Sequence, residues 1–131
     1  MSLLAFAQQK PPFVPRPAVS FFLNEKNADA RKNITKSDTL LEVKALLQGE
    51  QKQKMPDMKF LISEVEISLV RNDKKIAGLV ISYGKGSLAP LSMLAQAGDK
   101  YQFTVRGIKF LSNDVYIDVG AGDVIKNYTF E

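Results

Sequence analysis

Over much of the chain, apolar and polar residues alternate with a period of two, which is typical of half-buried β-strands. The clearest example follows Met58, where Leu61, Val65, Ile67 and Leu69 fall on one face and Glu64, Glu66 and Ser68 on the other. Asn72-Asp73-Lys74-Lys75 then predicts a turn into the apolar run 76–83. The two runs are therefore expected to form a β-hairpin.

The same alternation predicts strands before and after this hairpin. Ala18–Leu23 is a short candidate near the start, and residues 115–119 and 124–130 are candidates near the end. Between them, the apolar residues Tyr101, Phe103 and Val105 alternate with the polar residues Gln102, Thr104 and Arg106. After Gly107 the apolar parity switches to Ile108 and Phe110, as a glycine bulge would cause.

One segment departs from this period and predicts a helix. Thr35-Lys36-Ser37-Asp38 has the spacing of a capping box, in which side chains satisfy the free N–H groups of a helix start. Apolar residues then follow at helical spacing, and Gly49 ends the predicted helix. These apolar residues are Leu40, Leu41, Val43, Leu46 and Leu47. We expect about three turns with one apolar face. The stretch 88–97 predicts a second, short or irregular helical segment, and Gly84-Lys85-Gly86-Ser87 predicts a turn that ends the preceding strand.

These elements predict a mainly β (α+β) fold. We expect an antiparallel, β-sandwich-like sheet domain of five to seven strands with one packed helix and a second short one. The chain divides into a residual signal-peptide segment (1–7), a Pro-rich extended lead-in (8–17) and a single β-rich domain (18–131).

The first seven residues resemble the cleavage end of a secretory signal peptide. Leu3-Leu4-Ala5-Phe6-Ala7 ends in the A-x-A pattern that a signal peptidase reads, before the polar Gln8-Gln9-Lys10. We expect a trimmed leader and an exported protein, and the alternative is an apolar N-terminus that frays. The lead-in 8–17 holds four of the six prolines and is expected to be stiff and extended, as a linker, an edge strand or a docking segment.

Composition limits the chemistry that the chain can perform. It has no histidine and no cysteine, which excludes Ser-His-Asp and Cys-His catalysis, disulfides and zinc sites of N/S type. The net charge of +4 comes from lysines scattered among acids, so no basic stripe predicts nucleic-acid binding. No apolar run is long enough to predict a membrane span.

Carboxylates are the remaining candidates for catalysis or metal binding. Glu64 and Glu66 are about 6–7 Å apart on one strand face, a separation that a glycosidase pair could use. A solvated strand face explains them more simply, because neither lies in an apolar setting that would raise its pKa. Asp114, Asp118 and Asp123 form no D-x-D-x-D-G calcium loop. We therefore predict no catalytic, cofactor or metal-binding residues.

Several motifs occur in an order that resembles one family. They are Ile34-Thr35-Lys36-Ser37-Asp38-Thr39-Leu40-Leu41, Phe60-x-Ile62-x-x-Val65-x-Ile67, and Gly98-Asp99-Lys100-Tyr101-x-Phe103 with Ile108-Lys109, before a last apolar strand ending at Phe130. In this order the chain resembles the C-terminal periplasmic domain of the gliding-motility protein GldM (PorM in other species), part of the type IX secretion machinery of Bacteroidota. The resemblance covers residues 34–131.

The resemblance implies a short, exported, stand-alone relative of that domain. Its function would be non-catalytic protein binding in the periplasm or cell envelope of a Gram-negative bacterium, with a type IX secretion or gliding component as partner. The oligomeric state stays open. From their places on polar strand faces and one loop, the candidate partner-binding residues are Glu64, Glu66, Lys85, Gln102, Thr104 and Arg106.

A carbohydrate- or cell-surface-binding β-sandwich module is the alternative. Such sites usually present aromatic platforms, and the chain has no tryptophan. By their alternation Tyr83, Tyr101 and Phe103 are expected in the core, which leaves Tyr116 as the best exposed candidate. An open strand edge would favour protein docking, an exposed aromatic ledge the carbohydrate module, and a concave acidic pocket a carboxylate hydrolase.

Overall fold

The computed structural model describes residues 15–55, 57–120 and 122–131. The predicted signal-peptide segment and all but residues 15–17 of the Pro-rich lead-in lie outside these residues. The described elements are, in chain order, β1 (Ala18–Leu23), β2 (Lys26–Asn27), β3 (Asn33–Ile34), β4 (Leu40–Leu46), α1 (Gly49–Lys54), β5 (Phe60–Arg71), β6 (Lys74–Ser82), β7 (Lys85–Ser87), α2 (Ala89–Ser92), β8 (Lys100–Ser112), β9 (Val115–Asp118) and β10 (Val124–Phe130).

The strands form two sheets, which confirms the predicted mainly β, sandwich-like fold. The smaller sheet has the order β2-β1-β4-β7, and all of its pairs are antiparallel. The larger sheet has the order β3-β10-β8-β5-β6, with β9 paired to the far half of β8. Its pairs are antiparallel except for β10 and β3, which run parallel.

The core lies between the two sheets and is built from the inward residues of each strand. Phe21 of the smaller sheet stacks on Phe103 of the larger one, with ring centroids 5.9 Å apart. Tyr101, Tyr128 and Phe130 complete this cluster through edge and tilted ring contacts, and all are buried. Aromatic contacts of this kind add to the free energy gained by burying the rings.

Two-residue turns connect several of the strands; three of them join strands that pair with each other, whereas Tyr83-Gly84 joins β6 to β7, which lie in different sheets. Asn24-Glu25, Asn72-Asp73, Tyr83-Gly84 and Asn113-Asp114 each have positive φ at both positions. This is the geometry of the type I′ turn, which matches the twist of antiparallel strands. The predicted hairpin around Asn72 and Asp73 is thus confirmed as β5–β6.

The helix predicted after Asp38 is wrong, because residues 40–46 form strand β4. The side chains of Leu41, Val43 and Ala45 are buried, whereas Lys44 and Leu46 are exposed, so the segment follows a period of two. Its apolar residues also matched helical spacing because leucines occupy both faces of the strand. Pairing with β1 along its whole length decided between the two patterns.

The residues of the predicted capping box form a turn. The Asp38 carboxylate accepts hydrogen bonds from the Thr35 N–H at 2.9 Å and from the Arg31 guanidinium at 2.8 Å. The longer helix is instead α1, which buries none of its residues, so the prediction of a packed helix at residues 40–47 fails. The short helical segment within 88–97 is confirmed as α2, with Pro90 in its first turn.

Two smaller predictions need correction. Lys85, Gly86 and Ser87 are not a turn but form β7, which pairs with residues 40–42 of β4. The parity switch at Gly107 is confirmed, but no extra residue causes it, since the pairing of β5 with β8 keeps one register on both sides. Gly107 has φ +68° and lies opposite Ser63, whose hydroxyl donates to the Gly107 carbonyl at 2.9 Å. Both strands therefore change their inward side together at this pair.

Candidate functional site

The structure brings five of the six predicted partner-binding residues onto the outer face of the larger sheet. Arg106 lies opposite Glu64, and Thr104 lies opposite Glu66, on adjacent strands β8 and β5. Gln102 follows on the same face of β8. Lys85 does not join them, because it lies on β7 in the smaller sheet.

Charged side chains on this face largely form ion pairs with one another. The Arg106 guanidinium lies 3.3 Å from the Glu66 carboxylate and 3.4 Å from that of Asp123. Hydrogen bonds to Glu66 and then Asp123 raise the pKa of Arg106. Thr104 is buried between neighbouring side chains. This arrangement is a mutually neutralised strand surface, with few groups left free to select a ligand.

A groove at one corner of the sandwich is the better candidate site. We call it the corner groove; it has a volume of about 460 Å³ and is lined by residues 42–46 of β4, residues 58–62 at the start of β5, Tyr83 and Tyr116. Neither Glu64 nor Glu66 lines it. The predicted carboxylate pair therefore plays no part in its lining.

The corner groove exists because two strands extend past their neighbours. β7 pairs only with residues 40–42 of β4, and β6 pairs only with residues 64–71 of β5. Beyond residue 42, no described strand pairs with β4 on the side away from β1. Before residue 64, no described strand pairs with β5 on the side away from β8. Two open strand edges, one from each sheet, thus face the same groove.

The β4 edge presents free backbone groups to the groove. The Val43 N–H points away from β1 and donates to the Gly84 carbonyl at 2.6 Å. Because alternate residues of a strand direct their backbone groups to the same side, the N–H and C=O of Ala45 also point away from β1. They lie past the end of β7, where an additional strand could pair with them.

Exposed apolar side chains border the corner groove. Tyr83 is 73% exposed, Leu46 53% and Tyr116 48%. The prediction that Tyr83 is a core residue is wrong, because it occupies a turn at φ +59° instead of continuing β6. Tyr101 and Phe103 are confirmed in the core, and Tyr116 is confirmed as exposed. The glycine after Tyr83 was the sequence signal for that turn.

The rim of the groove carries positive charge on both sides. Lys44 lies 3.8 Å from the Glu42 carboxylate and 5.0 Å from the centroid of the Phe22 ring. Lys59 lies on the opposite side of the groove and is exposed. Glu42 also lines the groove and offsets the charge of Lys44, so a carboxylate at the edge of an occupant would be attracted mainly by Lys59.

A second groove lies on the outer face of the larger sheet and is polar. It has a volume of about 300 Å³ and is lined by Val70, Asp73, Lys100, Gln102, Asn127 and Thr129. Of the predicted residues, it contains Gln102. Its polar side chains come from the outward positions of adjacent strands and from the β5–β6 turn.

The described part of the chain contains neither a metal-binding cluster nor a helix that could span a membrane. No three acidic side chains there lie close enough together to hold a metal ion. Among the same residues, no helix has the length and apolarity required to cross a membrane.

Comparisons with protein-family models, with curated proteins and with solved structures find no match to this chain. The fold and the groove therefore define its class by themselves. It is a β-sandwich domain with an apolar groove, bordered by open strand edges, at one corner.

Proposed function

We propose that the chain is a non-catalytic protein-interaction module that captures an extended segment of a partner protein in the corner groove. The observation that carries this proposal is the pair of open strand edges, on β4 and β5, that line one apolar groove. An extended peptide can add to such an edge as a further strand.

Each part of the groove has a role in this binding. The backbone groups of Ala45 would pair with the main chain of the incoming segment, which gives affinity without sequence selection. Alternate side chains of that segment would contact Phe60 and Leu61 on one side and Tyr83 on the other. Lys59, and to a lesser extent Lys44, at the rim would favour a segment with acidic residues nearby.

The resemblance to the GldM C-terminal domain supports a partner in the cell envelope, in the type IX secretion or gliding machinery. Its motifs include residues 34–41, which reach the start of β4, and residues 60–67 of β5. Both of these strands border the corner groove. The leader-like residues 3–7 support export to the same compartment.

Carbohydrate binding is the second candidate, and one observation favours it. Tyr83 and Tyr116 are both exposed and line the same groove, so their rings could serve as platforms for a sugar. The two candidates share a site and differ in the ligand that it retains.

The test is affinity capture from a solubilised envelope fraction, with the retained material identified by mass spectrometry and by sugar analysis. Three baits are compared: the wild-type chain, Leu46→Lys in the groove, and Met93→Lys, which changes an exposed apolar residue that does not line the groove. We expect wild type and Met93→Lys to retain the same protein and Leu46→Lys to lose it. Equal retention by all three, or retention of polysaccharide alone, would contradict the proposal.

A further inference from the structure

We propose that strand β9 is a self-association site, through which two copies of this chain pair edge to edge. β9 pairs with β8 on one side only, and no described strand covers its other side. All four of its residues are exposed, including Val115 at 60%, Tyr116 at 48% and Ile117 at 44%. An open edge with three consecutive apolar residues favours pairing with another strand.

The other strands at the outer margins of the two sheets are protected, and this contrast singles out β9, whereas the open edges of β4 and β5 lie within the corner groove. β2 and β3 have two residues each, and β7 has three, beginning with Lys85. β6 is long but begins with two lysines, and the Lys75 side chain lies over Gly78 within the strand. β9 contains neither lysine nor proline, the residues that commonly block such edges.

The backbone of β9 determines which groups are free to pair. The Val119 N–H donates to the Ile108 carbonyl of β8 at 2.9 Å. Because backbone directions alternate along a strand, Ile117 also points its N–H and C=O toward β8, whereas Tyr116 and Asp118 point theirs away. The free groups of Tyr116 and Asp118 can therefore form hydrogen bonds with a second strand.

A second copy of β9 fits this edge about a two-fold axis at Ile117. Two-fold pairing of a strand with itself is antiparallel and self-complementary. In this register Tyr116 lies opposite the partner copy's Asp118, which allows four backbone hydrogen bonds across the axis. An axis at Tyr116 would instead place Asp114 opposite the partner copy's Asp118, and like charges at opposed positions destabilise a sheet.

The chosen register also joins the apolar rows of the two copies. Phe60 of β5, Phe110 of β8 and Ile117 of β9 lie side by side in one row of the larger sheet. With the axis at Ile117, this row continues directly into the same three residues of the second copy. On the opposite face, Lys109 lies opposite Asp118 on the adjacent strand within each copy. A four-residue strand buries less than the ~1,200 Å² of a standard interface, so we expect a weak, concentration-dependent dimer.

The absence of cysteine from these 131 residues allows a direct test of this register by disulfide trapping. Opposed residues at a non-hydrogen-bonded position have Cα atoms about 4.5 Å apart, which suits a disulfide. We expect Ile117→Cys to form a covalent dimer rapidly under a mild oxidant. The matched control is Val80→Cys, which changes a residue of similar exposure (55%) on the lysine-bearing edge strand β6. Equal trapping of both variants would overturn the proposal.

Sedimentation without any cross-link gives an independent readout. We expect the average mass of the wild-type chain to rise with concentration toward twice the monomer mass, the same rise for Val80→Lys, and a constant monomer mass for Ile117→Lys. A wild-type chain that stays monomeric at every concentration, or a dimer that Ile117→Lys leaves intact, would refute the β9 pairing. Ile117 does not line the corner groove, so this result is separate from the test of partner capture.

Discussion

The opposed residues Ser63 and Gly107 divide the sandwich into two ends that differ in how they are held. At one end, which we call the closed end, lie residues 64–71 of β5, residues 100–106 of β8, residues 21–23 of β1, strand β10 and the aromatic cluster of the core. At the other, the open end, lie residues 58–62, residues 108–118 and α1. At this end all four residues of β9 are exposed, and α1 buries none of its residues.

Ion pairs reinforce the closed end. The Arg71 guanidinium donates two hydrogen bonds of 2.8 Å to the Asp99 carboxylate, which is only 2% exposed and also accepts the Gln96 N–H. A second ion pair joins Arg31, which precedes β3, to Asp38, which follows it. We therefore expect stability to be concentrated at the closed end, with apolar groups exposed for binding at the open end. Substitutions at the two ends should therefore differ widely in effect.

The largest expected effect separates the two ends directly. Phe103→Ala removes a fully buried ring that touches three other aromatic residues, and we expect it to lower the free energy of unfolding by about 3–5 kcal/mol. Tyr116→Ala at the open end should cost less than about 1 kcal/mol, because its ring is half exposed. Urea denaturation of both variants measures the difference. Equal losses would remove the distinction between the ends.

The second-largest effect is expected at Gly107, which marks the boundary between the closed end and the open end. A Cβ atom there would lie 2.7 Å from the Ser63 Cβ, and the backbone has φ +68°. We expect Gly107→Ala to cost about 2–3 kcal/mol, from left-handed strain and from the contact together. Gly98→Ala is the matched control, since its φ is +87° but nothing lies within 4 Å of the added atom. It should cost about 1 kcal/mol, and a loss as large as that of Gly107→Ala would exclude a steric role for Ser63.

A third prediction concerns pH. Hydrogen bonds from Arg71, outweighing the effect of burial, lower the pKa of Asp99. When folding lowers the pKa of a carboxyl, the ionised group stabilises the fold at pH values above its unfolded-state pKa. This contribution is lost as the pH falls through the folded-state pKa. The free energy of unfolding should therefore drop on acidification below about pH 4. Asp99→Asn should weaken the protein by about 2 kcal/mol at neutral pH and flatten this dependence.

The exposed Asp123 provides the control for this pH profile. Its side chain is about half exposed and makes one long contact with Arg106. Asp123→Asn should leave both the stability at pH 7 and the acid slope close to those of the wild type. A slope that Asp99→Asn does not change would assign the acid sensitivity to other carboxyls, with Asp38 the first to examine, since its pKa is also lowered.

The smallest effect compares two tyrosines of the closed end. The Tyr128 hydroxyl donates to the Ala28 carbonyl at 2.9 Å, whereas the buried Tyr101 hydroxyl has no hydrogen-bond partner among the described residues. Burial raises the pKa of Tyr128 to about 12 and that of Tyr101 further. We expect Tyr128→Phe to cost about 1 kcal/mol and Tyr101→Phe to be neutral or stabilising in thermal unfolding. The reverse order would mean that Tyr101 has a partner in solution.

The sequence predicted the strands of the closed end well, because their side chains alternate between a buried and a solvated face. It failed at β4, where Leu40 and Leu46 add apolar residues on the outward face and so imitate a helix. Local spacing cannot distinguish the two patterns, and only pairing with the distant β1 does.

The candidate site was harder to predict than the fold. Polar residues on one strand face, such as Glu66 and Thr104, could be grouped from alternation, and they do lie together. The corner groove depends instead on how far β6 and β7 extend along their neighbours, and no motif encodes that length. Tyr83 shows the difficulty, since alternation along β6 continues up to it and the turn then moves it out of the core.

The parallel pairing of β10 with β3 has a consequence for the order of folding. Thr129 and Phe130 align with Asn33 and Ile34, almost one hundred residues earlier, and the Glu131 N–H donates to the Ile34 carbonyl. A chain that emerges from the ribosome amino terminus first can form the β1–β4 pair and the β5–β6 hairpin early, but β3 cannot pair until residues 129 and 130 have been synthesised. The closed end is thus completed only after residues 129 and 130 have joined it.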